Sequence, residues 1–531
     1  MYCNGRSYCC DDLEAAKGLL MEKTSETNKR IAKNTFLLYV RMLFTMAVSL
    51  YTSRVVLNTL GIEDYGLYNV VGGFVSMFTF LNGAMASATQ RFLNFELGCG
   101  NKERLHKVFC TSINIHALIS VIILLLSETI GLWFVYTHLN IPPDRFSAAL
   151  WVYHASVLAT IVMVMSIPYN AVIIAHERMG AFAYISVLEV VLKLLIVYLL
   201  VISDIDKLKL YAILMLLIQL LIRFIYGNYS GRHFVETRYR WIWDKDLFKE
   251  MTGFAGWSLF GNIAAVAFTQ GLNVLLNMFF GPALNAARGI AVQVQNAIKG
   301  FCINFQTALN PQITKSYASG DMLYMHNLVF TSSKFSYFLL LFISLPVMFE
   351  TDLILQWWLK VVPAHTVVFV RLILVISMID SLANPLIQAA SATGKIRKYQ
   401  SVVGTMLIMI LPISYIALKC GSTPESVFII QFIVFCVALF ARVWMLRTLV
   451  NLSLSEYFRK ALLPMFLVTV FSLVIPMVIR VCMLQSLSRF VTVCVVSFIS
   501  VVVSVYIFGL VDKERAFFVD RLKTLRNKFR R

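Results

Sequence analysis

The sequence predicts an all-α polytopic membrane protein of about 14 transmembrane helices, arranged as two parallel six-helix repeats followed by two C-terminal helices. Three observations carry this. Of 531 residues, 59% are hydrophobic and 14% charged, and mean hydropathy is +0.75. Soluble domains do not have this balance. The apolar residues fall in runs long enough to cross a hydrocarbon core of ~30 Å. The loops between the runs alternate between strongly basic and nearly free of cations.

The same numbers exclude other classes. A net charge of +19 in a soluble protein would point to nucleic acid. Here the cations sit in short loops and at the chain ends, where they set topology and meet anionic headgroups, so no nucleic acid is expected. Ten cysteines are scattered, several within apolar runs, with no CxxC pair and no Cys/His metal spacing. They read as small apolar residues. No metal or cofactor is expected. The first apolar run starts near residue 35 and is too long for a cleavable signal peptide.

In chain order, residues 1–20 are polar and patternless. Met21 opens a basic amphipathic stretch that runs into the first span and reads as the true start, so 1–34 is expected to be a cytoplasmic N-terminal segment. Spans are expected near 35–59, 66–97, 106–136, 147–173, 181–202, 209–228, 251–280, 284–314, 328–350, 363–392, 400–419, 426–447, 460–483 and 488–511. The N-terminus, 98–107, 174–180, 229–250, 315–327, 393–399, 448–460 and the tail hold about 30 Lys/Arg, against about 5 in the opposite loops. By the positive-inside rule both termini are cytoplasmic. The tail 512–531 reads as a basic amphipathic helix on the inner leaflet. Trp133, Trp241, Trp243, Trp357 and Trp358 fall near span ends, as an aromatic belt requires.

An internal repeat supports a division into lobes. At a shift of 220 residues Gly61 meets Gly281, Gly100 meets Gly320, His106 meets His326, and Thr111-Ser112 meets Thr331-Ser332. At a shift of 217 Pro168 meets Pro385, Ala175 meets Ala392 and Arg178 meets Lys395. The matches pair span 2 with 8, 3 with 9 and 4 with 10. A six-span offset preserves orientation, which makes the repeats parallel. The expected domains are an N-lobe at 35–228, a cytoplasmic linker at 229–250, a C-lobe at 251–447 and spans 13–14 within 448–511.

The stretch 282–316 is hydrophobic enough to enter a bilayer yet carries Arg288, Gln295, Lys299, Gln306 and Asn310. At about 100° per residue these five side chains stay within roughly 40° of one line, about 33 Å long. Lipid would not solvate that stripe. Either the helix lines a wet cavity, or other helices bury the stripe and Arg288 snorkels to the outer interface. Lys299 lies near mid-membrane. Shorter polar faces recur in span 1 (Arg41, Thr45, Thr52, with Ser49 beside them and Arg54 and Asn58 further out), span 2 (Asn69, Ser76, Gly83, Ser87, Asn94) and span 7 (Asn262, Thr269, Asn273). Each alone reads as helix–helix glue; four in repeat-related spans point to a shared cavity.

Other intramembrane charges read separately. Glu189 and Lys193 form an i,i+4 pair. Asp380 has no local partner and is either an ion-coupling carboxylate or the partner of a cation from another span. Glu128, Arg371 and Arg442 read as interfacial. Pro168 and Pro385 are expected to kink or break their helices and free backbone carbonyls. No P-loop, HExxH or GxSxG is present, and no loop between spans exceeds roughly 25 residues, too short for a soluble catalytic domain. Two DxD strings occur, Asp204-Ile-Asp206 and Asp244-Lys-Asp246; the second reads as a helix start. The chain is therefore not expected to be an enzyme.

Residues 28–73 (NKRIAKNTFLLYVRMLFTMAVSLYTSRVVLNTLGIEDYGLYNVVGG), 175–186 (AHERMGAFAYIS) and 285–301 (NAARGIAVQVQNAIKGF) resemble bacterial polysaccharide exporters of the O-antigen flippase type. These belong to the multidrug/oligosaccharidyl-lipid/polysaccharide (MOP) exporter superfamily, and the resemblance covers nearly the whole chain from Met21. It implies a two-lobed bundle in the bacterial cytoplasmic membrane that moves a polyprenyl-diphosphate-linked oligosaccharide to the outer leaflet. Twelve spans are common in that group, whereas 14 is similar to the lipid II flippases of the superfamily. A basic cavity suits an anionic diphosphate, since arginine can grip phosphate bidentately. The candidate substrate-binding residues are Arg41, Arg54, Asn58, Asn69, Asn273, Arg288, Gln295, Lys299 and Gln306, with Asp380 the candidate for ion coupling. The expected partners are the lipid-linked oligosaccharide and membrane lipids. Two rivals stay open. A cation-coupled multidrug antiporter of the same superfamily would need unpaired cavity carboxylates. A membrane-embedded polymerase or acyltransferase would need a large external loop or a catalytic histidine.

Overall fold

The computed structural model describes residues 30–49, 51–52, 55–56, 59–60, 64, 67–68, 71, 79–137, 141–203, 205–280, 282–359, 362–511 and 514–516. Among these residues the secondary structure is helical throughout, without strands. Arg54, Asn58, Asn69 and Ser76, the acidic turn 61–63, the N-terminal 29 residues and most of the basic tail lie outside them.

In chain order the described residues form α1 (Arg30–Ser49), α2 (Thr79–Cys99), α3 (Lys102–Thr137), α4 (Phe146–Ala175), α5 (Met179–Ile202), α6 (Lys207–His233), α7 (Lys245–Phe280), α8 (Pro282–Ala318) and α9 (Met322–Phe349). There follow α10 (Thr351–Leu359), α11 (Thr366–Asp380), α12 (Ala383–Ala392), α13 (Arg397–Ile408), α14 (Ile410–Lys419), α15 (Ser426–Val450), α16 (Leu454–Cys482) and α17 (Leu487–Gly509).

Twelve segments among the described residues are long and apolar enough to cross a membrane. They match the expected spans one for one, except spans 2 and 8. Part of span 2 lies outside the described residues. Span 8 is α8, long enough at 37 residues. Its stripe of amides and cations lowers its hydropathy below that of a lipid-facing helix.

The two prolines behave differently. α4 runs unbroken through Pro168. The tenth span is interrupted at Ser381–Leu382, between α11 and α12, with Pro385 in the first turn of α12. A proline cannot donate to the carbonyl four residues back. The break falls where Pro385 leaves Ser381 O without its helical donor.

The helices pack into two compact units. The first comprises the described residues of Met1–Val75 with Leu126–His233 and Thr307–Leu309. Its core is α4 packed on α6, with Ala148, Ala149, Val152, Tyr153, Ala155, Leu208 and Ala212 buried. The alanines let the two backbones approach closely, the usual device where lipid supplies no hydrophobic drive. The second unit comprises the described residues of Ser76–Leu125, Phe234–Gln306 and Asn310–Arg531. In it α2 lies along α7, Phe92 edge-on to Phe254 at 5.9 Å. Arg91, 5% exposed, donates to Ser391 O and Ala392 O at the C-terminus of α12, both at 3.2 Å. The packing of α2 on α7, with those bonds, groups the described residues of 76–125, within the range expected for the N-lobe, with the later helices.

The repeat is visible in the backbone. Gly100 (φ 73°) and Gly320 (φ 80°) end α2 and α8 in the left-handed region. Glu177 (φ 58°) and Gly394 (φ 75°) occupy equivalent turns 217 residues apart. Early in α3 and α9, His106 bonds Glu236 O at 2.9 Å and His326 bonds Val450 O at 2.8 Å.

Candidate substrate-binding site

The site grows from α8. Pro282 suits the first turn of a helix, where its missing N–H is not needed. The polar residues recur at three- and four-residue intervals, so they form one line along the helix. The fold places α7, α9, α11 and α12 against that line.

Four polar rungs tie α8 to α11 and α12. Gln295 Nε2 donates to Ser377 Oγ at 2.7 Å. Lys299 Nζ donates to Asp380 Oδ2 at 2.5 Å. Gln306 donates from Nε2 to Ser381 O at 2.9 Å and accepts at Oε1 from Asn384 Nδ2 at 2.8 Å. Gln388 Nε2 donates to Thr314 Oγ1 at 2.9 Å. The last rung was not singled out in the sequence. Its signal is the run Ser377, Ser381, Asn384 and Gln388, which keeps one face of the tenth span polar at helical spacing.

The rungs differ in exposure. Gln306 is 2% exposed and also reaches Ser336 Oγ of α9 at 2.9 Å. It supplies the donor that Pro385 withholds from Ser381 O. Arg288, 5% exposed, donates to Asn273 Oδ1 and, at 3.1 Å, to Thr269 O of α7. It is buried against α7. Lys299 and Asp380 keep 25% and 33% of their side-chain surfaces accessible. Of the two conditions posed by the stripe, burial by other helices holds at Arg288 and Gln306, while Gln295, Asn310 and the Lys299–Asp380 pair stay partly accessible.

Arg41 lies in the first unit. Its Nη1 donates to Ser186 Oγ at 3.4 Å, and its guanidinium sits over Phe182, 4.6 Å from the centroid. Nearby, Glu189 accepts from Lys193 at 2.6 Å and from Gln219 at 3.3 Å. The sequence-expected Glu189–Lys193 pair thus forms, joined by a residue of α6.

Other charges are held by protein groups. Arg442, expected at the interface, is instead 7% exposed and donates to Tyr399 Oη at 3.0 Å; the phenol of α13 replaces headgroup contact. Arg371 donates to Asp352 at 2.7 Å and to Met348 O at 3.0 Å. In the DxD strings, Asp244 Oδ1 accepts from the Leu247 N–H at 3.0 Å at the start of α7. Asp206 accepts from the Leu208 N–H at 3.1 Å and pairs with Arg145. Both aspartates act as helix caps. Among the described residues no group of three or more His, Cys, Asp or Glu is arranged to hold a metal.

The arrangement resembles solved transporters. A MATE structure in the bent conformation aligns with a TM-score of 0.71 at 13% identity, covering 80% of this chain and 96% of that one. The chain has the MATE fold. The Vibrio cholerae MATE transporter VcmN in its bent form aligns with a TM-score of 0.67 at 16% identity, over 82% of this chain and 99% of that one. A MOP superfamily transporter from Pyrococcus furiosus, described as having a binding pocket of reverse polarity, aligns at 0.65 and 14% identity, over 79% and 96%. No protein-family model and no curated protein sequence matches the chain. At these identities the likeness to MATE structures is one of fold, and the residues above are assigned from this chain's own geometry.

Proposed function

We propose that this MATE-fold chain is a flippase of the bacterial cytoplasmic membrane, with both termini inside. It carries a polyprenyl-diphosphate-linked oligosaccharide to the outer leaflet by alternating access, in the assembly of surface polysaccharide or lipopolysaccharide. The observation that carries the reading is the Lys299–Asp380 pair, a partly accessible ion pair within the polar seam of α8, α11 and α12. A diphosphate entering there competes with Asp380 for the Lys299 ammonium. When it leaves, Asp380 closes the pair again, so no unpaired cation is left in low dielectric. The sugars meet amides and hydroxyls, and the polyprenyl tail stays in lipid. Arg288 and Gln306 are held by neighbouring helices; their part is to position α8. The resemblance at 28–73, 175–186 and 285–301 supports the substrate class.

One observation favours a second reading, a cation-coupled multidrug antiporter. One-third of Asp380 is accessible, and the structural neighbours include an outward-facing multidrug resistance MATE transporter. The test separates the two. Surface glycan is measured in a strain lacking the gene and complemented with variants, with protein level read in the same membranes. Lys299→Ala should abolish export at normal protein level, and Lys299→Arg should keep part of it. Level must be measured because removing one partner of an intramembrane ion pair leaves the other charge uncompensated and can destabilise the fold. Normal export by Lys299→Ala overturns the diphosphate role. Restoration of Lys299→Ala by Asp380→Asn makes the pair structural only. Drug resistance lost in Asp380→Asn with export intact favours the antiporter.

A further inference from the structure

We infer that the segment Arg238–Trp243, with Lys245, is a binding strap for anionic phospholipid at the inner-leaflet headgroup layer. The segment has neither helix nor strand, yet it is fastened along α3. Glu236 O bonds His106 at 2.9 Å. The Arg240 N–H reaches Cys110 Sγ at 3.5 Å. Tyr239 Oη donates to Asn114 Oδ1, and Asn114 Nδ2 donates to Ile242 O, both at 2.8 Å. As the chain advances from 236 to 242, its anchors move from His106 to Asn114. That is about 12 Å along α3, toward the middle of the bilayer.

The depth of the strap follows from α3 itself. Residues 108–116 of α3 are buried by protein. Beyond them, Leu118, Val121 and Ile122 line one exposed side of the helix, at 47%, 52% and 44% exposure. Such a row on a spanning helix meets lipid tails. Asn114 precedes Leu118 by one turn, about 6 Å. The headgroup layer beyond a ~30 Å core is about 5–8 Å thick. Ile242, held by Asn114, and the tryptophans on either side of it therefore lie at headgroup depth.

The side chains suit that layer. Trp241 and Trp243 share a side of the strap. Their rings stack at 6.5 Å with planes 16° apart. They are 75% and 52% exposed, and Trp243 is braced on Phe248 at 5.0 Å. Arg238, Arg240 and Lys245 beside them are all exposed. Indoles favour the interface, and each cation near it attracts anionic lipid. The positive-inside rule assigns this basic face to the cytoplasmic leaflet.

The test uses the full-length protein in nanodiscs with nitroxide-labelled lipid. The Trp241→Phe/Trp243→Phe variant is subtracted to remove the signal of the other six tryptophans out of eight. The strap indoles should be quenched by shallow nitroxide and little by aqueous acrylamide. Quenching by labelled phosphatidylglycerol should exceed that by labelled phosphatidylcholine. Arg238→Gln/Arg240→Gln keeps the four fastenings, which use the backbone or Tyr239, and should lower that preference about fivefold per cation. Acrylamide quenching without lipid quenching places the strap in water. Quenching by neither means protein covers it. Equal quenching by the two lipids removes the anionic site. Any of these three results overturns the inference.

Discussion

Gln306 shows how a polar residue on a spanning helix acquires its role. Its two amide atoms meet Ser381 O and Asn384 Nδ2, and the first of these needs a donor because Pro385 has none. Gln306→Leu should leave the buried Ser381 O unpaired, at a cost of about 1–3 kcal/mol. Pro385→Ala gives Ser381 O a helical donor again. The double variant should therefore lose less thermal stability than the sum of the single changes, as read by unfolding of the purified protein in detergent. Additive losses would detach Gln306 from the helix break. The same reasoning explains why sequence alone could not separate Gln306 from Lys299. They share a line, and only their neighbours differ. One meets a freed carbonyl, the other a carboxylate that stays one-third accessible.

Among the helices, the close approach of α2 to α8 depends on one small residue. A Cβ on Gly98 would lie 2.6 Å from Lys315 O and 2.7 Å from Ala318 Cβ. The first of these is backbone, so α2 itself must move. Gly98→Ala should cost about 1–3 kcal/mol, as overpacking does. Gly253→Ala in α7 is the control. Nothing lies within 4 Å of its Cβ, and replacing a helical glycine should stabilise by about 0.5–1 kcal/mol. Equal shifts in melting temperature for the two variants would show that the α2–α8 contact does not constrain packing. Arg91 works at the same scale, setting a cation against the negative end of α12. It was overlooked in the sequence because an arginine near a span end looks like any topology signal.

For the whole molecule, the prediction is topological. With both termini inside, single cysteines placed at 61–65, 137–146 and 281–284 in a cysteine-free background should react with an impermeant maleimide added to intact cells. Cysteines in 98–107, 229–250 and 393–399 should react only after permeabilisation. Labelling of the basic loops from outside would invert the orientation and move the proposed strap to the other leaflet. The span pattern itself was legible. Twelve segments match the hydropathy reading, and the two exceptions are a helix whose stripe makes it polar and one partly outside the described residues.

The sequence by itself determined the all-helical membrane class, the positions of the spans, the repeat and the polar line on α8. These are local or periodic properties, set by transfer free energy and helical geometry over windows of about 20 residues. Only the tertiary structure decided what each polar residue faces. Lys299 and its carboxylate are 81 residues apart in the chain, Arg91 and its carbonyls 300 and 301, and the strap and its anchors on α3 about 130. A buried polar group must find a partner somewhere. The chain sets that demand, and helix packing chooses which partner meets it and which charge stays accessible.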